Sequence, residues 1–375
     1  VSGLQNGGVL DTDADSDYGA ALGMRVARKH LGWYAEAAGL ADLAAARAAL
    51  MAAATPQAAM AAIRAVFSGA GEKARAAYEA AVKNIHIYPD GRATKLRNAV
   101  SELHGLEPER LIFGNGSDEV FALLNQTYLT AGDNIVCGQY GFLAYRISAL
   151  GCEAQVKLAP EPNFKAEVDA LLAQVDDRTK IVYVSNPSNP TGSYNTGEEI
   201  RRLHAALPAH IILVVDEAYA EYVTEADWET AFPLAKDAEN IVVTRTFSKI
   251  HGLGGLRIGF GYAPLKVAEA IDRIRLPFNV SVPGLEAATA ALSDEAHQTA
   301  SRDLISNWKP RLTQALQSYA ADSRSTALCA LPLEHGNEAA LGFRFGAVAY
   351  VPDVSLIPPA SENALHGLDL LVIDA

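Results

Sequence analysis

Cysteine is scarce in this sequence: three in 375 residues, Cys137, Cys152 and Cys329, none in a Cys-x-x-Cys pair. That spacing argues against a disulfide framework or a zinc knuckle and fits a reducing compartment. Positive charge is also short, with 31 Lys and Arg against 44 Asp and Glu and a formal net charge of −13. Binding to nucleic acid needs a cationic surface that displaces counterions, so a nucleic-acid partner is not expected. No apolar run approaches the ~20 residues that span a bilayer. The first residues lack the basic and apolar regions of a secretory signal, so the expectation is a cytoplasmic protein with no membrane partner. What remains is a globular composition, 50% hydrophobic and 20% charged, in a chain of 375 residues. That length fills one large domain or two ordinary ones.

Three zones follow one another. Residues 1–70 are rich in alanine and broken at Gly39, Pro56 and Gly69, and they read as a few short helices. From 71 to 320 short apolar runs alternate with amphipathic stretches. Leu111–Phe113, Asn134–Cys137, Lys180–Ser185, Ile211–Asp216, Ile241–Thr246 and Leu256–Phe260 read as buried strands, and Glu119–Tyr128 and Gly197–Ala206 as helices. Such alternation predicts an α/β fold, a mostly parallel sheet with helices on both faces. From 323 onward, His335-Gly336, Leu341–Gly346 and Val348–Asp353 suggest β-hairpins, and Leu370–Ala375 reads as an apolar strand.

The middle zone carries four features at predicted strand ends. Gly114-Asn115-Gly116-Ser117-Asp118 follows a strand and opens a helix. Free backbone N–H groups and the helix dipole favour a phosphate there, although a glycine-rich turn alone is more often just a turn. Asn186-Pro187-Ser188-Asn189-Pro190-Thr191-Gly192 offers the amide of Asn189 at the carboxyl edge of the sheet, where open α/β sheets bind ligands. Asp216 ends the most hydrophobic run. A carboxylate between apolar walls needs a cationic partner, for which a protonated pyridine nitrogen is suitable; helix capping is its ordinary alternative. Ser248-Lys249 follows Thr246, with Arg257 eight residues beyond Lys249. A lysine there can bind an aldehyde covalently while Ser248 and Arg257 take a phosphate. Each is weak by itself; together they describe one phosphorylated aldehyde cofactor.

These motifs, with Tyr88-Pro89-Asp90-Gly91, Asp216–Glu221, Arg245–Gly259 and Arg275-Leu276-Pro277-Phe278-Asn279-Val280, resemble the histidinol-phosphate aminotransferases, class-II enzymes of fold type I that use pyridoxal 5′-phosphate (PLP). The resemblance covers about residues 71–320. It implies that Lys249 holds PLP and shuttles the α-proton, and that Asp216 pairs with the pyridine nitrogen. Tyr219 and Asn189 would bond the cofactor's O3′, and Tyr140 would stack on its ring. The turn at Gly116, the N–H groups of Ser117 and Asp118, and Ser248, Arg257 and Thr246 would hold the phosphate. Tyr88 would reach the phosphate of a neighbouring subunit, implying a homodimer. The implied partners are small molecules: glutamate or 2-oxoglutarate and a phosphorylated amino compound, exchanged in a ping-pong transamination of histidine biosynthesis. An aromatic aminotransferase, a threonine-phosphate decarboxylase or a non-catalytic PLP-binding remnant would share nearly all these residues.

The flanks depart from that family. Residues 1–87 hold no Asn-Glu-Asn-Pro arm, and no Leu-Arg-Ile-Thr pattern with a carboxylate-clamping arginine follows Ala320, Arg344 being the nearest substitute. Residues 23–34, with Arg25, Arg28, Lys29 and His30, resemble the C-terminal region of bacterial tRNA-dihydrouridine synthases. Residues 323–375 resemble part of a metallo-β-lactamase-fold phosphodiesterase, in which His335 and Asp353 would stand at ligand positions. The His-x-His-x-Asp-His cluster of that fold is absent from the sequence, so no metal centre is expected. The expected organisation is three segments, 1–70, 71–320 and 323–375.

Overall fold

The computed structural model describes residues 70–306, residue 309, and the backbone of four strands, 328–335, 338–345, 348–351 and 370–373. The chain divides into two compact units, Gly69–Arg302 and a second comprising Val1–Ser68 with Asp303–Ala375.

The first unit is a seven-stranded sheet. Its strands are β1 (Leu111–Asn115), β2 (Asn134–Gly138), β3 (Gln155–Ala159), β4 (Thr179–Ser185), β5 (Ile212–Asp216), β6 (Ile241–Thr246) and β7 (Ile258–Tyr262), in the order β1-β7-β6-β5-β4-β2-β3. β2 pairs in parallel with both β3 and β4, as does β5 with both β4 and β6. β7 runs antiparallel to both of its neighbours. The expected mostly parallel α/β architecture is therefore present.

Strand alternation sorts the side chains onto two faces. Val182, Val184, Leu213, Val215 and Val243 pack in one core. It is covered by α1 (Glu72–Val82), α2 (Thr94–His104), α5 (Val168–Leu172), α6 (Gly197–Ala206), α7 (Phe232–Asp237) and α9 (Val282–Leu292) through residues such as Ala74, Leu96, Leu171, Leu203, Phe232 and Ala288. Ile181, Tyr183, Ile212, Val214 and Val242 pack in the other core, beneath α3 (Ser117–Tyr128), α4 (Leu143–Leu150) and α8 (Leu265–Asp272), which add Phe121, Leu124, Tyr145 and Ile271. A sheet buried on both faces explains why β4, β5 and β6 read as continuous apolar runs rather than alternating ones. Helix starts are equally local: Thr196 caps α6 through a capping box with Glu199, which satisfies two otherwise unpaired amides.

One strand expectation needs correction, and one strand was not expected. The run Leu256–Phe260 is displaced, because Gly254–Leu256 is a 3-10 turn and Arg257 takes a left-handed φ of 55°; pairing begins only at Ile258. β3 has no apolar run to announce it: as an edge strand it leaves Gln155 and Leu158 exposed.

In the second unit, β8 (Leu328–His335), β9 (Glu338–Phe345), β10 (Val348–Val351) and β11 (Leu370–Ile373) form a sheet ordered β11-β10-β9-β8. β8–β9 and β9–β10 are antiparallel and β10–β11 is parallel, so the hairpins and the last strand fall where the sequence placed them. The helices expected in 1–70, with Arg25, Arg28, Lys29 and His30, lie outside the described residues. So do Asp353 and the side chains of His335 and Arg344.

Candidate active site

The parallel strands β2, β4, β5 and β6 end at one edge of the sheet. Asp216 is the last residue of β5, opposite Ser185 of β4 and Thr244 of β6. It shares the parity of Ile212 and Val214, whose side chains face α3 and α4. Its carboxylate is 3% exposed and accepts hydrogen bonds from Tyr145 Oη at 2.6 Å and Thr244 Oγ1 at 2.9 Å. Burial pushes its pKa from 3.8 up to about 6; the two hydroxyl donors oppose that rise, and the Asp118 and Glu217 charges add to it. A buried carboxylate whose side-chain donors among the described residues are two hydroxyls suits a cationic partner.

Lys249 follows β6, and its Nζ lies 5.0 Å from the ring centroid of Tyr219, three residues beyond Asp216. The amine and the carboxylate thus belong to neighbouring strand ends on one edge. Beside them, Arg245 is buried and bridges Glu217 and Glu221 at 2.7 and 2.8 Å, which ties β6 to the segment after β5.

The candidate anion-binding group is assembled from three segments. Gly116, at φ 81°, turns the chain into α3, and no side chain caps that helix, so its first amides keep their attraction for an anion. The Arg257 guanidinium bonds Asp118 Oδ2 at 2.7 Å and Ser248 Oγ at 3.4 Å. The amide of Gly116 donates to the Arg257 carbonyl at 3.0 Å, and that of Ser248 to Thr246 Oγ1 at 3.1 Å. The fit is close. A Cβ on Gly116 would meet the Arg257 guanidinium, and one on Gly259 would lie 2.6 Å from the Gly116 carbonyl carbon. Gly259→Ala must therefore displace the backbone of the loop. We expect it to lower stability by about 1–3 kcal/mol, the range for overpacking, and to weaken cofactor binding at least about tenfold, checked by denaturant titration and equilibrium dialysis.

The other expected residues are placed as follows. The Asn189 amide donates to Ser185 Oγ at 3.3 Å, and its turn is pinned by a reciprocal pair between the Asn186 side chain and the Asn195 backbone. Tyr140 donates its amide to Glu161 Oε2 at 2.5 Å and sets its ring 5.4 Å from Phe164. Both rings line an open cleft of ≈ 540 Å³ with Pro190, Thr191 and Gly192. Tyr88 packs instead on Phe278, with ring centroids 4.9 Å apart, and is 78% exposed. The Arg275–Val280 motif anchors the site from outside: Arg275 bonds the Gly91 carbonyl and Asn279 Oδ1, while Asn279 Nδ2 reaches the Phe113 carbonyl and Glu119. The turn at Tyr88–Gly91 is thereby tied to the base of α3.

Sequence reasoning missed Tyr145, Thr244, Glu161 and the Asp118 carboxylate as parts of the site. Tyr145 reads as core on a helix, and Thr244 as one more residue of a β-branched strand. Among the described residues, no group of three His, Cys, Asp or Glu is placed to hold a metal ion, and no helix is long and apolar enough to cross a membrane.

A doubly covered sheet with an amine, a buried carboxylate and an arginine-lined anion cradle on one edge defines an α/β protein of fold type I. The family described as aminotransferase class I and II matches residues 40–338, and the chain belongs to it. Among curated relatives, histidinol-phosphate aminotransferase 1 of Caulobacter vibrioides is 54% identical over 248 residues, covering 66% of this chain and 69% of that protein. The Maricaulis maris histidinol-phosphate aminotransferase is 42% identical over 303 residues, covering 80% and 83%. Among solved structures, the Sinorhizobium meliloti histidinol-phosphate aminotransferase in complex with pyridoxal-5′-phosphate superposes with a TM-score of 0.64 at 30% identity, over 71% of this chain and 70% of that one. An aspartate aminotransferase of Thermus thermophilus, 21% identical, shares the fold with a TM-score of 0.61 over 70% and 71%.

The cofactor of this family is PLP, and the residues present fit it. The cradle between Gly116, Gly259 and Arg257 has room for no Cβ, its donors suit a phosphate, and the buried Asp216 carboxylate, bonded by the Tyr145 and Thr244 hydroxyls, suits a protonated pyridine nitrogen.

Proposed function

We propose that this protein is a PLP-dependent histidinol-phosphate aminotransferase that exchanges an amino group between histidinol phosphate and 2-oxoglutarate. One observation carries the reading: Asp216, Lys249 beside Tyr219, and the Asp118–Arg257–Ser248 cluster meet at one sheet edge, in a chain 54% identical to a protein of that name. When bound, PLP supplies an electron-accepting ring that stabilises negative charge at the substrate α-carbon. Lys249 anchors the group covalently and, once displaced, moves a proton at that carbon. Asp216 holds a proton at the ring nitrogen. Tyr219 and Asn189 orient the ring oxygen, and Tyr140 covers a ring face and excludes water. Arg257, Ser248, Thr246 and the amides of Ser117 and Asp118 behind Gly116 hold the phosphate. The catalytic segment is 71–320.

We further read the protein as a cytoplasmic homodimer in which Tyr88 serves the partner's phosphate. The exposure of Ile87, Tyr88, Leu276 and Phe278, from 50% to 78%, supports an interface there. The segments 1–68 and 323–375 are proposed, as their resemblance to tRNA-dihydrouridine synthase and metallo-β-lactamase-fold proteins implies, to lie outside this catalytic segment.

Spectral titration tests the function. Protein loaded with PLP is expected to lose its visible band on addition of histidinol phosphate, to lose it with glutamate at higher concentration, and to keep it with threonine phosphate. A band that neither histidinol phosphate nor glutamate changes overturns the reading. Conversion by threonine phosphate, or by aromatic amino acids alone, moves the substrate to another class.

A further inference from the structure

Tyr145 is a firmly held polar group beneath the site. It is 0% exposed and stacks on Tyr183 with centroids 4.5 Å apart and planes 9° from parallel. The rings of Phe121 and Phe142 meet it edge-on at 4.9 and 5.7 Å. Its stacking partner is fixed in turn: Tyr183 Oη donates to Asn125 Oδ1 at 2.8 Å, and Asn125 Nδ2 to Ser148 Oγ at 2.5 Å on α4 itself. From this rigid seat the Tyr145 phenol donates to Asp216 Oδ2 at 2.6 Å, while Thr244 serves Oδ1 at 2.9 Å. A carboxylate oxygen has two acceptor positions, so one on each oxygen is left for a donor arriving from the cleft.

We propose that Tyr145 is a positioning residue for the reaction: its phenol stabilises the Asp216 anion, so that the proton shared with a bound pyridine ring stays on the ring nitrogen. This rests on the PLP reading above. Between nitrogen and carboxylate the proton goes to the stronger base. Each hydrogen bond donated to the carboxylate makes it the weaker one. Burial counteracts this, and so do the carboxylates of Asp118, at the start of α3, and of Glu217. Tyr183 on β4 and Tyr145 on α4 are the fully buried phenols at this face. Burial holds both well above their usual range, so Tyr145 remains a donor at any working pH. Without its hydroxyl the proton shifts toward Asp216, and the ring loses charge and with it the capacity to accept electrons. No contact with substrate is involved.

Tyr145→Phe tests this, because it keeps the stacked ring and deletes only the donor. In holoenzyme carrying PLP labelled with ¹⁵N in the ring, the variant's nitrogen resonance is expected to move from the pyridinium position toward neutral pyridine. The dissociation constant for PLP is expected to rise about tenfold near neutral pH, the scale of a hydrogen bond to a charged group, with the gap widening from pH 8 to 6. Turnover falls while KM is nearly unchanged. Thr244→Val, which removes the other donor, moves the resonance the same way and serves if Tyr145→Phe fails to fold. Tyr183→Phe, which leaves the Tyr145 donor in place, does not move it. A resonance that neither donor deletion moves, or that Tyr183→Phe moves equally, overturns the proposal. A parent protein that fails to retain PLP at all sinks the functional reading instead.

Discussion

Lys249→Ala is expected to bind PLP without developing the visible band of the parent and to lower transamination by more than about 10⁴-fold, the upper range for losing a positioned proton-transfer group. The magnitude follows from two duties falling on one amine. In the proposed function Lys249 holds the cofactor, and its Nζ lies 5.0 Å from the Tyr219 ring, beside the end of β5. The Arg257, Ser248 and α3 contacts are untouched, so phosphate anchoring should survive and the variant should still retain PLP on dialysis. Absorbance spectroscopy and single-turnover kinetics read both effects. Activity within tenfold of the parent would move the covalent attachment to another residue.

Asp216→Asn is expected to separate stability from function. Burial raises the Asp216 pKa from 3.8 to about 6. For an acid the sign is unfavourable to the cofactor-free fold: the penalty is absent below the unfolded pKa, grows between pH 4 and 6, and is complete above. It amounts to on the order of 3 kcal/mol. Asparagine carries no charge, and the hydroxyls of Tyr145 and Thr244 can rotate to accept from it. Cofactor-free Asp216→Asn should therefore melt higher than the parent at pH 7–8, with the advantage vanishing toward pH 4. The loaded enzyme should lose about 10²–10³-fold in PLP affinity, since a buried cation left without its partner costs about 3–5 kcal/mol. Calorimetry without cofactor and dialysis with it check the two signs. A variant less stable at every pH would make the carboxylate a structural group.

Much of this was legible before any coordinates. β6 has the predicted bounds Ile241–Thr246, α6 the predicted bounds Gly197–Ala206, and Asp216 stands at the end of β5. Those readings rest on local signals: β-branched runs buried on both faces, an amphipathic stretch between them, a polar residue where an apolar run stops. β7 slipped by two residues because nothing in Gly254-Gly255-Leu256 announces that Arg257 turns left-handed. β3 was missed because an edge strand need not be apolar.

The residues by themselves determined the α/β class, the sheet edge and the chemistry gathered there, because strand period, chain-turning glycines and strand-end polar groups act within a few positions of one another. Only the tertiary structure decided which side chains support that chemistry. Tyr145 meets Asp216 across 71 positions and Asp118 meets Arg257 across 139. Strand order and helix packing create such contacts, and hydrophobic burial, which sets both, depends on how much surface is covered and leaves no pairwise mark in the sequence.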